Sequence, residues 1–229
     1  MTAIRYRTLG LLMAGIAGLS FLVAAGPAEA GDGLAPDRRT GSIAGRITFA
    51  TVADDEFFEL TDAVVYLTGE GLTDLPGAAQ ADPAVARLDQ IDYTFVPRVL
   101  AVVVGTELRF HNSDSELHNI HTVARGRPAN RMFNRSQLPG STFNETFEQP
   151  DSILVSCDIH SQMIAHILVL PNSFHTMPVV DGSYSLAGVP PGRYELTAWH
   201  EFFGRATVPV MVASGAVTAV DVAFSGPLE

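Results

Sequence analysis

Ile153-Leu154-Val155-Ser156-Cys157-Asp158-Ile159-His160-Ser161-Gln162-Met163-Ile164-Ala165-His166-Ile167-Leu168-Val169-Leu170 is an apolar run, a short polar turn and a second apolar run. Both runs are brief and rich in β-branched residues, which reads as two strands, 152–156 and 165–170. The turn between them carries a thiol, an imidazole and a thioether at a C-x2-H-x2-M spacing. A strand–loop–strand unit lets Cys157, His160 and Met163 converge on one point. Upstream, Phe110-His111-Asn112-Ser113-Asp114-Ser115-Glu116-Leu117-His118-Asn119 ends another apolar strand and supplies a further candidate imidazole.

Working outward, the same grammar repeats. Runs at 42–50, 63–68, 99–104, 106–111, 119–123 and 142–147 read as strands, as do 182–186, 193–200, 207–212 and 216–224. In 106–111, Leu108 and Phe110 face one way while Glu107, Arg109 and His111 face the other. Gly, Pro, Asn and Asp separate the runs, and the one weak helical period lies near 83–88. The expected fold class is therefore all-β. Residues 69–89, rich in Gly, Pro, Ala and Asp, read as a long loop or linker. A dozen strands are too many for one small sandwich, so two packed units are expected. The block 90–171 holds five of the seven histidines and the only cysteine. It reads as a site-bearing domain set between a first scaffold segment, 41–89, and a second, 172–229.

Composition narrows the chemistry. The 229 residues carry 14 basic and 25 acidic groups, a net charge of −11, and every basic side chain is arginine. Such acidity argues against nucleic-acid binding, which needs a basic surface. One cysteine excludes an intramolecular disulfide, a Cys-rich zinc site and a cysteine-ligated iron–sulfur cluster.

Residues 1–30 read as an export signal: Arg5 and Arg7, an apolar run to Ala25, then Ala28-Glu29-Ala30 as the cleavage site. An uncleaved anchor is the alternative, but glycines interrupt a run marginal in length for a bilayer. Cleavage leaves 12 arginines against 24 acids, opening on a polar tail, 31–40, expected to be disordered. The mature protein is expected to be periplasmic or secreted, with no stable membrane span.

Thiolate and thioether donors favour Cu(I), and imidazoles tolerate Cu(II), so two imidazoles, one thiolate and a weak axial thioether select copper. Such a closed set suits electron transfer, since it leaves no position for substrate. Zinc would need stronger ligands than methionine, a C-x-x-C-H haem attachment is absent, and a catalytic Cys–His pair lacks an orienting partner.

Phe95-Val96-Pro97, Val104-Gly105, Phe110-His111-Asn112-Ser113-Asp114, His118-Asn119 and Cys157-x2-His160-x2-Met163 together resemble the cupredoxin, or type 1 blue copper, pattern over about 90–171, nearest amicyanin in loop length. The wider chain resembles methylamine-utilisation-type cupredoxin-like proteins, in which a carboxypeptidase-regulatory-like, prealbumin-type sandwich surrounds the copper domain. Gly41-Ser42-Ile43-Ala44-Gly45, Asp62-Ala63-Val64-Val65-Tyr66-Leu67 and Asp181-Gly182-Ser183-Tyr184-Ser185-Leu186 carry that second likeness, with 188–194. The resemblance implies a Greek-key cupredoxin sandwich or barrel inserted in or joined to a prealbumin-like β-sandwich. It implies one type 1 copper ion on His118, Cys157 and His160, an axial Met163, and Asn119 bracing the ligand loop. The implied role is electron carriage, not enzymatic catalysis, between periplasmic redox partners such as a c-type cytochrome or a dehydrogenase. A copper carrier or metallochaperone, or a surface-binding β-sandwich protein, is the alternative. Ile159 stands where small cupredoxins often carry proline, and its retained N–H is expected to donate to the Cys157 sulfur. Met132, Phe133, Ile159 and Met163–Ile164 are expected to form an apolar exit patch near His160.

Among the remaining residues, His121 reads as a surface histidine, and His111, His166, His175 and His200 as structural or exposed. Arg125, Arg127, Arg131 and Arg135 form a basic stretch, either a solvated loop or a docking patch for an acidic partner. Trp199 points away from Tyr194, Leu196 and Ala198, toward either a partner domain or the second sheet of its own sandwich.

Overall fold

A computed structural model describes residues 39–49, 60–72, 86–125 and 132–226. The export signal, residues 31–38 of the polar tail, most of the 69–89 stretch, Arg127 and Arg131 lie outside the described residues. The described chain is all-β, with a single short 3-10 turn at Leu60–Asp62. No helix among them is long and apolar enough to cross a membrane.

Strands β1 (Gly41–Phe49) and β2 (Val64–Thr68) come first, followed by β3 (Ala86–Ile91), β4 (Thr94–Val96), β5 (Val99–Val103) and β6 (Glu107–Asn112). Then come β7 (His118–Ala124), β8 (Asn134–Gln137), β9 (Thr142–Thr146), β10 (Asp151–Ser156) and β11 (Ile164–Leu170). Last are β12 (His175–Thr176), β13 (Ser183–Val189), β14 (Gly192–His200), β15 (Gly204–Val212), β16 (Val217–Ala219) and β17 (Val222–Phe224). They form four sheets: β13-β1-β16 with β17 also on β1, β12-β2-β14-β15, β5-β11-β10-β7-β8, and β4-β3-β6-β9.

The side-chain pattern stacks these sheets as successive layers. Ile43, Ile47, Val65, Leu67, Tyr184, Leu196, Val210 and Phe224 fill the core between the first two sheets. Leu88, Phe95, Leu108, Phe110, Ile120, Phe143, Ile153 and Ile167 fill the core between the last two, together with Cys157 and Met163. A smaller cluster of Val64, Tyr66, Val99, Leu168, Leu170 and Trp199 lies where β2 and β14 meet β5 and β11. Alternation makes this possible: Val65 and Leu67 serve one core while Val64 and Tyr66 turn to the seam. In β11, Ala165, Ile167 and Val169 face the core between the last two sheets while Leu168 and Leu170 face the seam. A strand buried on both faces is apolar nearly throughout, and in 164–170 only His166 interrupts it, with its Nε2 paired to Glu201. Trp199 settles between the two cores, with its ring 5.4 Å from that of His166.

Several expected boundaries change. Residues 86–89 are strand rather than loop or helical turn, since β3 pairs in parallel with β6. The single run 216–224 is two strands, β16 and β17, both parallel to β1. Val220 and Asp221 separate them: the Val220 carbonyl accepts from the Tyr184 hydroxyl at 2.6 Å, and Asp221 accepts the Arg46 N–H at 2.8 Å. Gly45 is required here, because a Cβ at that position would lie 1.6 Å from the Val220 oxygen.

Two groups away from the ligand loop give the fold an acid limit. Burial alone would raise the Glu201 carboxyl, yet hydrogen bonds from His166 and Arg98 and the Arg98 charge bring it below its ordinary value of 4.5. Burial pushes His175 below its ordinary 6.5. Both shifts are downward, so the unfolded state binds more protons as pH falls. The His175 contribution is whole above about 6.5 and shrinks below it; the Glu201 contribution follows through the carboxylate range. The melting temperature is therefore expected to decline in two stages on acidification, and His175→Gln to remove the first. A flat profile from pH 7 to 5 in the parent protein would contradict this.

Candidate metal centre

Three strand ends build the site. Cys157 follows β10 directly; its N–H donates to the Met163 carbonyl at 3.2 Å, and the Met163 N–H donates to that of His160 at 3.0 Å. These two bonds close 157–163 into a tight loop before β11. His118 is the first residue of β7 and is fully buried. The connection before it is fixed by amides. Asn112 Nδ2 donates to the Glu116 and Gln137 carbonyls, and Asn112 Oδ1 accepts the Asp114 N–H. Gln137 Nε2 reaches back to the Phe110 and Ser141 carbonyls.

The result brings His118 Nδ1 within 2.9 Å of His160 Nδ1, and Cys157 Sγ within 3.9 Å of the latter. One ligand atom from each of the three residues lies within 4.8 Å of the others. Cys157 is buried, and His160 is the partly exposed member. Met163 is buried in the same core at 1% exposure, so it does not reach the expected surface patch. Met132 and Phe133 also pack against that core, while Ile159 is half exposed.

Asn119 accepts the Asp158 N–H at 2.7 Å through Oδ1, and the Cys157 thiol lies 3.3 Å from the same oxygen. Its amide nitrogen donates to Asn134 Oδ1 at 2.7 Å, which ties the ligand loop to β8. The Ile159 N–H makes no bond to the sulfur, contrary to expectation; the neighbouring Asp158 N–H is the one the loop directs inward, onto Asn119. His121 is partly exposed, as expected of a surface histidine. It pairs with Asp158 at 2.9 Å, and Asn134 donates to the other Asp158 oxygen. Hydrogen bonds from His121 and Asn134 hold the Asp158 carboxyl below its usual range.

Two residues that the sequence reading did not single out complete the site. Asp114 Oδ2 lies 2.8 Å from His118 Nε2. A carboxylate only accepts, so Nε2 carries the proton and Nδ1 presents a bare lone pair toward His160. The same carboxylate accepts the N–H groups of Asp92 and Tyr93 at 2.6 and 3.0 Å. Burial would raise the Asp114 carboxyl, but these bonds and that of His118 leave it lower than usual. Asp92 and Tyr93 form the two-residue turn between β3 and β4 at φ 50° and 60°, a left-handed pair that bulky residues rarely adopt. Held there, the Tyr93 ring stands edge-on to His160 at 4.9 Å and to His118 at 5.7 Å. Asp114 lay in the quoted motif, four residues before His118. Nothing local to Tyr93 marked it, because its place comes from β3 pairing with β6.

Of the arginine stretch, Arg125 and Arg135 are among the described residues. Arg135 stacks on Phe143 at 4.3 Å from the ring centre, and Arg125 lies beyond the end of β7.

No protein-family model matches the chain, and no curated protein matches it. Among solved structures, a Cu-containing nitrite reductase (NirK) from Thermus scotoductus SA-01 is similar at 23% identity and a TM-score of 0.36, over 45% of this chain and 27% of that one. The chain thus spans about a quarter of that enzyme's length. A purple cupredoxin from Nitrosopumilus maritimus matches at 22% identity, TM-score 0.32, over 37% of this chain and 99% of its own. A point mutant of amicyanin in its oxidized form matches at 21% identity, TM-score 0.34, over 41% of this chain and 90% of that one.

Proposed function

We propose that this is an exported type 1 copper protein that carries single electrons between periplasmic redox partners. The observation that carries the reading is the convergence of His118 Nδ1, Cys157 Sγ and His160 Nδ1 at one buried point. The donor chemistry fits copper: two imidazoles and a soft thiolate, with the Met163 thioether in the same core as the weak fourth donor. Bound there, copper supplies a one-electron couple between Cu(I) and Cu(II).

The residues of the chain do the rest. Asp114 fixes the His118 tautomer that leaves Nδ1 free to ligate. Asn119 holds the ligand loop through the Asp158 N–H, so Cys157 and His160 keep their places whether or not charge changes between them. Burial of His118, Cys157 and Met163 excludes water from the donor set, and the partly exposed His160, beside half-exposed Ile159 and Tyr93, offers the exit to a partner. The direct test is the visible spectrum of Cu(II)-loaded protein. Intense thiolate-to-copper absorption with reversible one-electron reduction is expected. Colourless protein, or copper lost quickly to a weak chelator, would overturn electron carriage, the latter in favour of a copper carrier.

Asp114 provides a finer check. Asp114→Asn keeps the shape but removes the anionic acceptor from His118 Nε2, and copper affinity is expected to fall roughly 10–100-fold. Competition against a chelator of known strength measures it. An affinity within twofold of the parent protein would show that Asp114 does not position His118.

A further inference from the structure

Away from the metal centre, the described residues form a cleft with charged walls. Where the two cores meet, this cleft of about 330 Å³ is lined by Arg125, Ser152, His166, Trp199, Glu201 and Arg205, among others. It falls within the range of small-molecule sites. Arg125 follows β7, Ser152 lies in β10 and His166 in β11, whereas Trp199 and Arg205 face each other as cross-strand partners in β14 and β15. The cleft therefore takes its walls from the sheets of both cores.

Its charge is unbalanced in an otherwise acidic chain. Glu201 is already engaged: Arg98 Nε and Nη2 donate to its two oxygens at 2.7 and 2.8 Å, and His166 Nε2 donates to it at 3.0 Å. Neither Arg125 nor Arg205 has an ion pair among the described residues; the Arg205 charge lies near the Tyr66 hydroxyl and partly offsets the upward push of burial on it. His166 is 4% exposed; in the neutral ring Nε2 carries the proton it donates to Glu201, which leaves Nδ1 an acceptor with no hydrogen-bond partner. Buried polar atoms are nearly always satisfied, so this one needs a water or a ligand donor. Trp199, 6% exposed, borders the cleft with the small part of its ring that the seam leaves uncovered.

We propose that this seam cleft binds a small organic acid. The two guanidinium forks take its carboxylate, as their geometry favours. The uncovered edge of Trp199 meets its apolar body, and Nδ1 of the neutral His166 ring accepts from a hydroxyl, an N–H or a water that the ligand orders. This site shares no residue with the metal centre and stands whether or not copper binds.

Trp199 is the only tryptophan in the chain, so its fluorescence reports on the cleft alone. Purified protein is titrated at constant ionic strength with benzoate, with benzyl alcohol and with inorganic phosphate, and benzoate binding is repeated by calorimetry. Benzoate is expected to give a saturating change and benzyl alcohol none. The exposed Arg125 and Arg205 can be replaced without touching a core, and the Arg125→Gln/Arg205→Gln double variant is expected to weaken benzoate at least about tenfold, the loss of two charge-assisted contacts. An unchanged melting temperature separates that loss from unfolding. No saturation by benzoate in either measurement, or saturation that survives in the double variant, would overturn the proposal. Phosphate binding as tight as benzoate would overturn the organic-acid assignment and leave a plain oxyanion site.

Discussion

Cu(II)-loaded Cys157→Ser protein is expected to be without intense visible absorption and to hold copper more weakly by a wider margin than the ~10–100-fold typical of losing an outer hydrogen bond to a ligand. The absorption requires a thiolate bonded to copper, and Cys157 is the only cysteine in the chain, so nothing else can supply it. The affinity loss follows from donor softness: an alcohol at this position stays protonated near neutrality and cannot match a thiolate toward copper. The replacement is nearly isosteric, and a serine hydroxyl can still donate to Asn119 Oδ1, as the thiol does at 3.3 Å. The loop bonds from Cys157 N–H to Met163 and from Asp158 N–H to Asn119 are untouched. Metal-free variant and parent should therefore melt alike, and the difference should appear only on adding copper. Persistence of the colour, or an affinity within tenfold of the parent, would remove Cys157 from the donor set.

The ligand loop was legible in the sequence because its information is local. A thiol, an imidazole and a thioether lie within seven residues, bounded by two short apolar runs whose pairing, Ser156 with Ile164, holds them together. What surrounds the site was less legible, because it depends on contacts far apart in the chain. Asp114 acts as an anchor only once β3 and β4 bring the Asp92–Tyr93 turn against it. Strand β3 itself was hidden: Arg87 and Asp89 break its apolar pattern, yet they pair with each other, and Ser113 donates to Asp89. Strand β8, Asn-Arg-Ser-Gln, has no strand-like composition at all; it exists because β7 offers an edge and Gln137 buries its amide beside Gln90. The seam was written in the sequence as an apolar run at 63–67 and another at 164–170 broken only by His166, which alternation rules register as strands without revealing that both faces are covered.

Phe110→Ala is expected to cost about 3–5 kcal/mol, the range for truncating a buried aromatic, and so a large share of the ~5–15 kcal/mol that holds a typical domain folded. Phe110 has no exposed surface. Its ring stacks on Phe143 at 5.0 Å and 13°, and meets Phe133 edge-on at 5.9 Å and 87°. It sits on β6, paired on both sides, by β3 and β9, so the backbone cannot move in to fill the void. The cost therefore includes the cavity as well as the lost transfer energy. The carbonyl of Phe110 also anchors Gln137, and Asn112 two residues on carries the connection to His118, so the loss should loosen the site's support without removing a donor. A lower urea midpoint in the metal-free protein is expected, with the copper spectrum preserved at saturating metal. A ligand that binds only the folded form stabilises by about 2.7 kcal/mol at 100 times its dissociation constant, so saturating copper is expected to offset up to that much of the loss. Phe110→Leu, which keeps most of the volume, should lose much less. A Phe110→Ala cost below about 1 kcal/mol would mean that the ring cluster collapses around the gap, contrary to the close packing between β6, β9 and the 132–133 segment.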